Sequence, residues 1–138
     1  MKLTFSSQVS TFIVSDTLLA IIQKEIENKP HAVNSVILNF RSPSYSPEEG
    51  GYHPVEIRLV KSDNLWLFDY ITDFTYVGFS PMAELTKEID FCFDTGDAYH
   101  LYIGKISIEE GKNLFKLWQS NFVSYWQMKV FDVEITID

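Results

Sequence analysis

Residues 47–74 constrain the fold of this chain more than any other stretch, because apolar and polar side chains alternate there on both sides of one polar turn. The alternation runs through residues 53–60 and again through residues 65–71. A period of two residues is typical of β-strands. The polar residues 61–64, Lys-Ser-Asp-Asn, separate the two runs. The sequence therefore predicts a β-hairpin.

The length of that turn predicts how the two strands pair. A four-residue turn over residues 61–64 sets Leu59 opposite Trp66 and Ile57 opposite Phe68. Aromatic and β-branched pairs of this kind stabilise antiparallel strands. A slip of one residue would place both aromatic rings on the charged face. We therefore expect the face that carries these pairs to lie in the core.

The opposite face of the predicted hairpin carries charged residues. The same pairing sets Glu56 opposite Asp69, with Arg58 on the diagonal, where its charge relieves the repulsion between the two carboxylates. Asp73 falls on this face as well, at the end of the second strand. The pattern thus predicts three carboxylates and one guanidinium group in one patch.

Size and composition are those of one globular domain covering residues 1–138. Apolar residues make up 46% of the chain and charged residues 22%, as in ordinary globular proteins. The net charge of −8 repels phosphate backbones, which argues against nucleic acid as a partner. The chain has one cysteine, no apolar run of the ~18 residues that span a bilayer and no recognisable signal peptide. We expect a cytoplasmic protein that does not enter the membrane.

Hydrophobic periodicity predicts two helices, four further strands and a fifth, short strand. The first helix begins at Ser15 or Asp16, and the second begins at Ser107, where Glu110 completes a capping box. Further strands are predicted over residues 34–40, 89–93, 99–103 and 130–137, with a short strand at residues 11–14 and one helical turn at residues 84–87.

Strands in succession favour antiparallel pairing, whereas a doubly wound α/β fold needs strands that alternate with helices. The order of elements therefore predicts an α+β two-layer sandwich. Its mainly antiparallel sheet has five to six strands, including two successive hairpins, and two amphipathic helices cover one face.

Three motifs, GGYHPVEIRL, YITDF and ELTKEIDFCF, resemble those of a small bacterial domain family of unknown function. The resemblance spans residues 34–137. It implies an α+β fold and a bacterial, cytoplasmic origin. It implies no activity, substrate or cofactor.

His53 is a candidate for a chemical role. It follows Gly50 and Gly51 and directly precedes Pro54, at the head of the hairpin. With Asp69 or Asp73 it could form an acid/base pair of a hydrolase-like enzyme. A metal site is disfavoured, because His53 and Glu56 lie three positions apart on a strand and point to opposite faces. The plainer interpretation is structural, with His53 bound to the loop and the carboxylates solvated. We therefore expect no metal and no cofactor.

The loop before the hairpin is the other candidate, since aromatic residues beside flexible glycines are typical of recognition surfaces. The sequence contains no nucleophile motif and no phosphate-binding loop. The first hypothesis is therefore a module that binds another protein or its own copy, and the alternative is the hydrolase-like enzyme. The candidate binding residues are Tyr45, Gly50, Gly51, Tyr52, His53, Glu56, Arg58, Asp69 and Asp73.

Overall fold

The computed structural model describes residues 1–8 and 10–138, which form one antiparallel sheet of seven strands and two helices. The helices are α1 (Asp16–Ile26) and α2 (Ile108–Gln127). The strands are β1 (Ser35–Arg41), β2 (Val55–Ser62), β3 (Leu65–Val77), β4 (Glu84–Cys92), β5 (Asp97–His100), β6 (Gly104–Ile106) and β7 (Asp132–Ile137). Their order across the sheet is β6-β5-β4-β3-β2-β1-β7. Among these seven strands of the described residues, β7 alone pairs with a strand that is distant in sequence.

Both helices begin where the sequence predicts. The Ser15 hydroxyl accepts a hydrogen bond of 3.1 Å from Leu18 N, and the Ser107 hydroxyl accepts one of 3.2 Å from Glu110 N. Each bond satisfies one of the free N–H groups at a helix start. Within the described residues, neither helix is long and apolar enough to cross a bilayer.

The core lies between the two helices and one face of the sheet. Leu38, Ile57 and Phe91 of the sheet are completely buried. On α2, Phe115 packs edge-on against Phe91 with ring centroids 5.0 Å apart. The predicted α+β class, with two helices and an antiparallel sheet, is confirmed.

Several details of the predicted fold are wrong. The strand predicted over residues 99–103 ends at His100, and residues 101–103 form the turn between β5 and β6. The sheet has seven strands and not five to six, because the three-residue strand β6 is too short to show a periodic pattern. Residues 84–87 begin β4 and form no helical turn, since they pair with the end of β3. Residues 11–14 form a bend and irregular chain instead of a strand.

The predicted pairing of the central hairpin is also wrong. The turn has two residues, Asp63 and Asn64, with φ angles of 51° and 66°, as a type I′ turn requires. Leu59 therefore lies opposite Phe68, and Trp66 lies opposite Lys61. Asn and Asp tolerate positive φ, and the primed turn matches the natural twist of paired strands. These two properties favour the shorter turn.

A β-bulge in β3 changes which side chains face the core. The pairing shifts between Arg58 and Leu59, which leaves Asp69 as the extra residue and sets Glu56 opposite Thr72. Because side chains alternate along a strand, one inserted residue reverses the faces beyond it. Asp73 consequently faces α2, and the predicted patch of three carboxylates on one face does not form.

Candidate functional site

His53 lies at the head of the hairpin, next to two carboxylates that come from different strands. Its Nδ1 atom is 3.1 Å from Asp73 Oδ1 on β3 and 2.9 Å from Glu88 Oε2 on β4. Gly50 and Gly51 adopt φ angles of 69° and 128°, and these bring the loop back towards the sheet. The three side chains form what we call the His53 cluster.

Asp73 is anchored from the helix layer. Trp118 Nε1, in the middle of α2, donates a hydrogen bond of 2.9 Å to Asp73 Oδ2. The other oxygen, Oδ1, accepts the proton on His53 Nδ1. The carboxylate is therefore held at both oxygens, and its orientation is fixed.

Glu88 enters the cluster through a second β-bulge. The pairing of β3 with β4 shifts between Asp73 and Phe74, so that Glu88 is the extra residue of β4. Its Oε2 atom is buried and, within the described residues, accepts no hydrogen bond of regular geometry. An imidazole carries at most one proton on Nδ1, so His53 cannot donate a separate Nδ1 proton to each carboxylate.

The charge of the cluster follows from these contacts. The hydrogen bond to Asp73 raises the pKa of His53, burial opposes it, and the charges of Asp73 and Glu88 add to the rise. More of the imidazole is therefore protonated near neutral pH than in a free histidine. When His53 is charged, its single positive charge faces two carboxyl groups, those of Asp73 and Glu88.

A cleft of about 530 Å³ opens beside the cluster, between the loop and α2. Its walls are largely aromatic, and the rings of Tyr52 and Tyr125 lie with centroids 4.9 Å apart. His53 and Asp73 line the cleft together with Asn121. The arrangement brings an acid/base pair into contact with a space large enough for a small ligand.

The loop tyrosines pack inward. Tyr45 stacks on Tyr76 with centroids 5.2 Å apart, and its hydroxyl accepts a hydrogen bond of 3.2 Å from Tyr76 N. The same ring lies 5.3 Å from the His53 ring. Residues 47–49, Pro-Glu-Glu, form an exposed stretch of the loop.

The exposed loop residues lie against the tip of the β3–β4 hairpin. The Ser80 hydroxyl donates a hydrogen bond to the Glu48 carboxylate, and this bond lowers the pKa of Glu48. Two large apolar side chains project from the tip, with Phe79 exposed by 90% and Met82 by 80%. We call residues 47–49 and 77–82 the hairpin-tip surface.

The other predicted site residues lie on the sheet face that points away from the helices. Arg58 Nη1 is 2.6 Å from Asp69 Oδ2, and the Tyr70 hydroxyl donates to the Glu56 carboxylate. Burial, with this hydrogen bond, raises the pKa of Tyr70. The charged groups of this face thus form ion pairs and hydrogen bonds with neighbours on the same face. Asp69 pairs with Arg58 and not with His53.

Sequence reasoning missed four residues of these sites. Trp118 lies within the predicted second helix, and Glu88 lies between the predicted helical turn at residues 84–87 and the predicted strand at residues 89–93. Phe79 and Met82 lie between the predicted hairpin and the predicted helical turn at residues 84–87, where the sequence analysis predicts neither a helix nor a strand. Residues 78–82, Gly-Phe-Ser-Pro-Met, place two large apolar residues among residues typical of turns. This pattern is the sequence signal for the tip.

The chain is similar to one family of known proteins and to solved structures, among them two from Vibrio cholerae. A family model described as "Protein of unknown function (DUF2787)" matches residues 16–136. The hypothetical protein VC0508 from the VSP-II pathogenicity island of Vibrio cholerae is 32% identical, with a TM-score of 0.89 over 99% of this chain and 100% of that chain. None of the curated proteins matches the chain.

The second solved structure is the conserved hypothetical protein VC1805 from pathogenicity island VPI-2 of Vibrio cholerae. It is 38% identical to this chain, with a TM-score of 0.78 over 94% of this chain and 98% of that chain. That protein is described as sharing structural homology with the human p32 protein.

Proposed function

Since the chain belongs to the DUF2787 family of proteins of unknown function, we propose that it is a protein-binding domain whose contact site is the hairpin-tip surface. The observation that carries the proposal is the exposure of Phe79 and Met82 beside an acidic loop. A cytoplasmic location, expected from the sequence, is part of the same proposal.

The apolar side chains favour a protein partner. Burying one large apolar side chain that is otherwise in water contributes about 1.5–3 kcal/mol. At the same end of the sheet, the β5–β6 turn exposes Tyr102 by 77% and Ile103 by 69%. Large apolar side chains surrounded by polar ones are typical of interaction surfaces.

The charge of the surface favours a partner with a basic rim over a second copy of this chain. Glu48 and Glu49 flank the tip, and the whole chain carries a net charge of −8. A symmetric dimer through this surface would bring the same carboxylates of two copies together, and like charges at an interface are unfavourable. A partner with an apolar pocket rimmed by Lys and Arg complements the surface instead.

Capture from host extract tests the proposal when variants are compared. We expect the wild-type domain to retain a specific protein that Phe79→Ser/Met82→Ser does not retain. The matched control is Val33→Ser, an exposed apolar residue at the opposite end of the sheet. Retention should weaken at high salt, because salt screens the acidic rim. Equal capture by wild type and tip variant would contradict the proposal.

A second candidate function is that of a hydrolase-like enzyme, favoured by the 3.1 Å contact between His53 Nδ1 and Asp73 Oδ1 in an open cleft. Asp73 would hold the imidazole in one orientation, while Nε2 exchanges a proton with a ligand in the cleft. Asp69 does not fit this role, because it pairs with Arg58.

Hydrolysis of a panel of esters and phosphoesters tests this second candidate. Activity that is lost in His53→Gln, yet retained in the matched control Asp69→Asn, would support it. Activity equal in the two variants would exclude His53 as the acid/base group.

A further inference from the structure

We propose that the His53 cluster is a binding site for a divalent transition-metal ion such as Zn²⁺ or Mn²⁺. The inference is independent of the hairpin-tip surface. It revises the expectation that His53 holds no metal, because that expectation paired His53 with Glu56. The structure instead brings His53 together with Asp73 and Glu88.

The first argument is the spacing of the ligand atoms. His53 Nδ1 and one carboxylate oxygen each of Asp73 and Glu88 all lie within 4.8 Å of one another. From Nδ1 the distances are 3.1 Å to Asp73 and 2.9 Å to Glu88. Two adjacent ligands bound at about 2.1 Å to one ion lie roughly 3 Å apart. The two separations from Nδ1 are therefore already those that one ion imposes.

The second argument is the unsatisfied oxygen of Glu88. Its Oε2 atom is buried 2.9 Å from the imidazole Nδ1, and no donor among the described residues reaches it with regular hydrogen-bond geometry. A single proton on Nδ1 leaves one of the two carboxylates without a partner, whereas an ion that replaces this proton contacts all three groups.

The third argument is that the surroundings hold the ligands in place. Trp118 fixes Asp73 Oδ2 and leaves Oδ1 for the ion. The bulge in β4 directs Glu88 towards the cluster, and bulges commonly re-aim side chains beside functional sites. Outer contacts of this kind are a regular feature of metal sites.

The ligand set indicates the class of metal. One imidazole nitrogen with two carboxylates suits divalent first-row transition metals, whereas Ca²⁺ and Mg²⁺ prefer oxygen alone. The His53 side chain is 35% exposed, so an ion in the cluster is reachable from solvent.

Titration of chelator-treated protein with Zn²⁺, and separately with Mn²⁺, tests the site. We expect one ion per chain, with affinity reduced at least about tenfold in Glu88→Gln and His53→Gln. The matched control is Glu84→Gln, which changes an exposed carboxylate on the same strand and should bind as wild type does. No binding to wild type, or equal binding to Glu88→Gln, overturns the proposal.

A spectroscopic measurement on the wild-type chain keeps the test valid if a cluster variant fails to fold. Mn²⁺ broadens NMR signals of nearby protons. We expect it to broaden the His53 imidazole signals at concentrations that leave those of His31, an exposed loop residue, unchanged. Equal broadening of both histidines would place the ion elsewhere and overturn the proposal.

Discussion

Trp118 Nε1 donates a hydrogen bond of 2.9 Å to Asp73 Oδ2 and thereby joins the middle of α2 to β3. Trp118 is exposed by only 7%, and its ring stacks on Phe122. The bond links the helix layer to the head of the hairpin, so the stability of the fold and the geometry of the His53 cluster depend on the same contact.

Replacement of Trp118 should therefore be costly. Trp118→Phe removes the N–H donor and part of the buried ring, and we expect it to lower the free energy of unfolding by about 2 kcal/mol. Urea denaturation measures the change. Trp126→Phe is the control, because Trp126 donates to Glu25 from a less buried position on the same helix. Equal losses in the two variants would contradict a special role for the bond to Asp73.

Removing the charge of Asp73 should lower the free energy of unfolding more than removing the charge of Asp69. In Asp73→Asn the side-chain amide replaces one of the two acceptor oxygens, so Trp118 Nε1 and a protonated His53 Nδ1 cannot both keep an acceptor. We expect a loss of about 1–3 kcal/mol. Asp69→Asn breaks only a partly exposed ion pair with Arg58 and should cost about 0–1 kcal/mol. Thermal or urea unfolding of both variants measures the two losses. A larger loss in Asp69→Asn than in Asp73→Asn would refute the prediction.

His53 should stabilise the metal-free protein more strongly at acidic pH. Its pKa in the folded chain is raised by Asp73 and Glu88. The extra stability is therefore fully present below the unfolded pKa of about 6.5 and is lost as pH rises through the folded value. The difference in unfolding free energy between wild type and His53→Gln, measured with a chelator present, should be larger at pH ~5.5 than at pH ~8.5. A difference that grows with pH would show that the imidazole is bound in its neutral form.

The two-residue turn at Asp63 and Asn64 makes a prediction about backbone conformation. Asn64 has a φ angle of 66°, which glycine adopts freely and a β-branched residue does not. We expect Asn64→Gly to be neutral or slightly stabilising, and Asn64→Val to cost about 1–2 kcal/mol. Lys61→Val is the control, since Lys61 lies in β2, where valine is favoured. If Asn64→Val were as stable as wild type, the turn would have a different conformation.

Local sequence signals were sufficient for most of the fold. The hydroxyls of Ser15 and Ser107 mark both helix starts, and the period-two alternation marks the hairpin. Each of these features depends on neighbouring residues only, which is why composition and spacing reveal them.

The site depends on features without a local signature. The extra residues Asp69 and Glu88 each reverse the face of the strand beyond them, and nothing in their composition marks a bulge. The sequence alone does not distinguish Asp69 from Asp73 as the partner of His53. The bulge at Asp69 makes Asp73 the partner, because it turns Asp73 towards the face on which α2 lies. Glu88 and Trp118 reach the cluster through long-range packing, which a reading of neighbouring residues does not include.

Residues of the hairpin-tip surface should be dispensable for folding. Phe79→Ser/Met82→Ser removes side chains that are almost fully exposed, so unfolding free energy should change by less than about 0.5 kcal/mol. A large loss of stability would mean that these side chains pack against other residues of the same chain and are not available to a partner.

Site-specific photocrosslinking in the host cell tests the central claim most directly, namely that this domain binds another protein through the hairpin tip. A photoreactive phenylalanine analogue is placed at Phe79 in one strain and at Val33, the exposed control position, in another. The account predicts a discrete crosslink to a different protein from position 79 and none from position 33. The absence of any crosslink from position 79, a crosslink to a second copy of this chain, or the same product from both positions would contradict it.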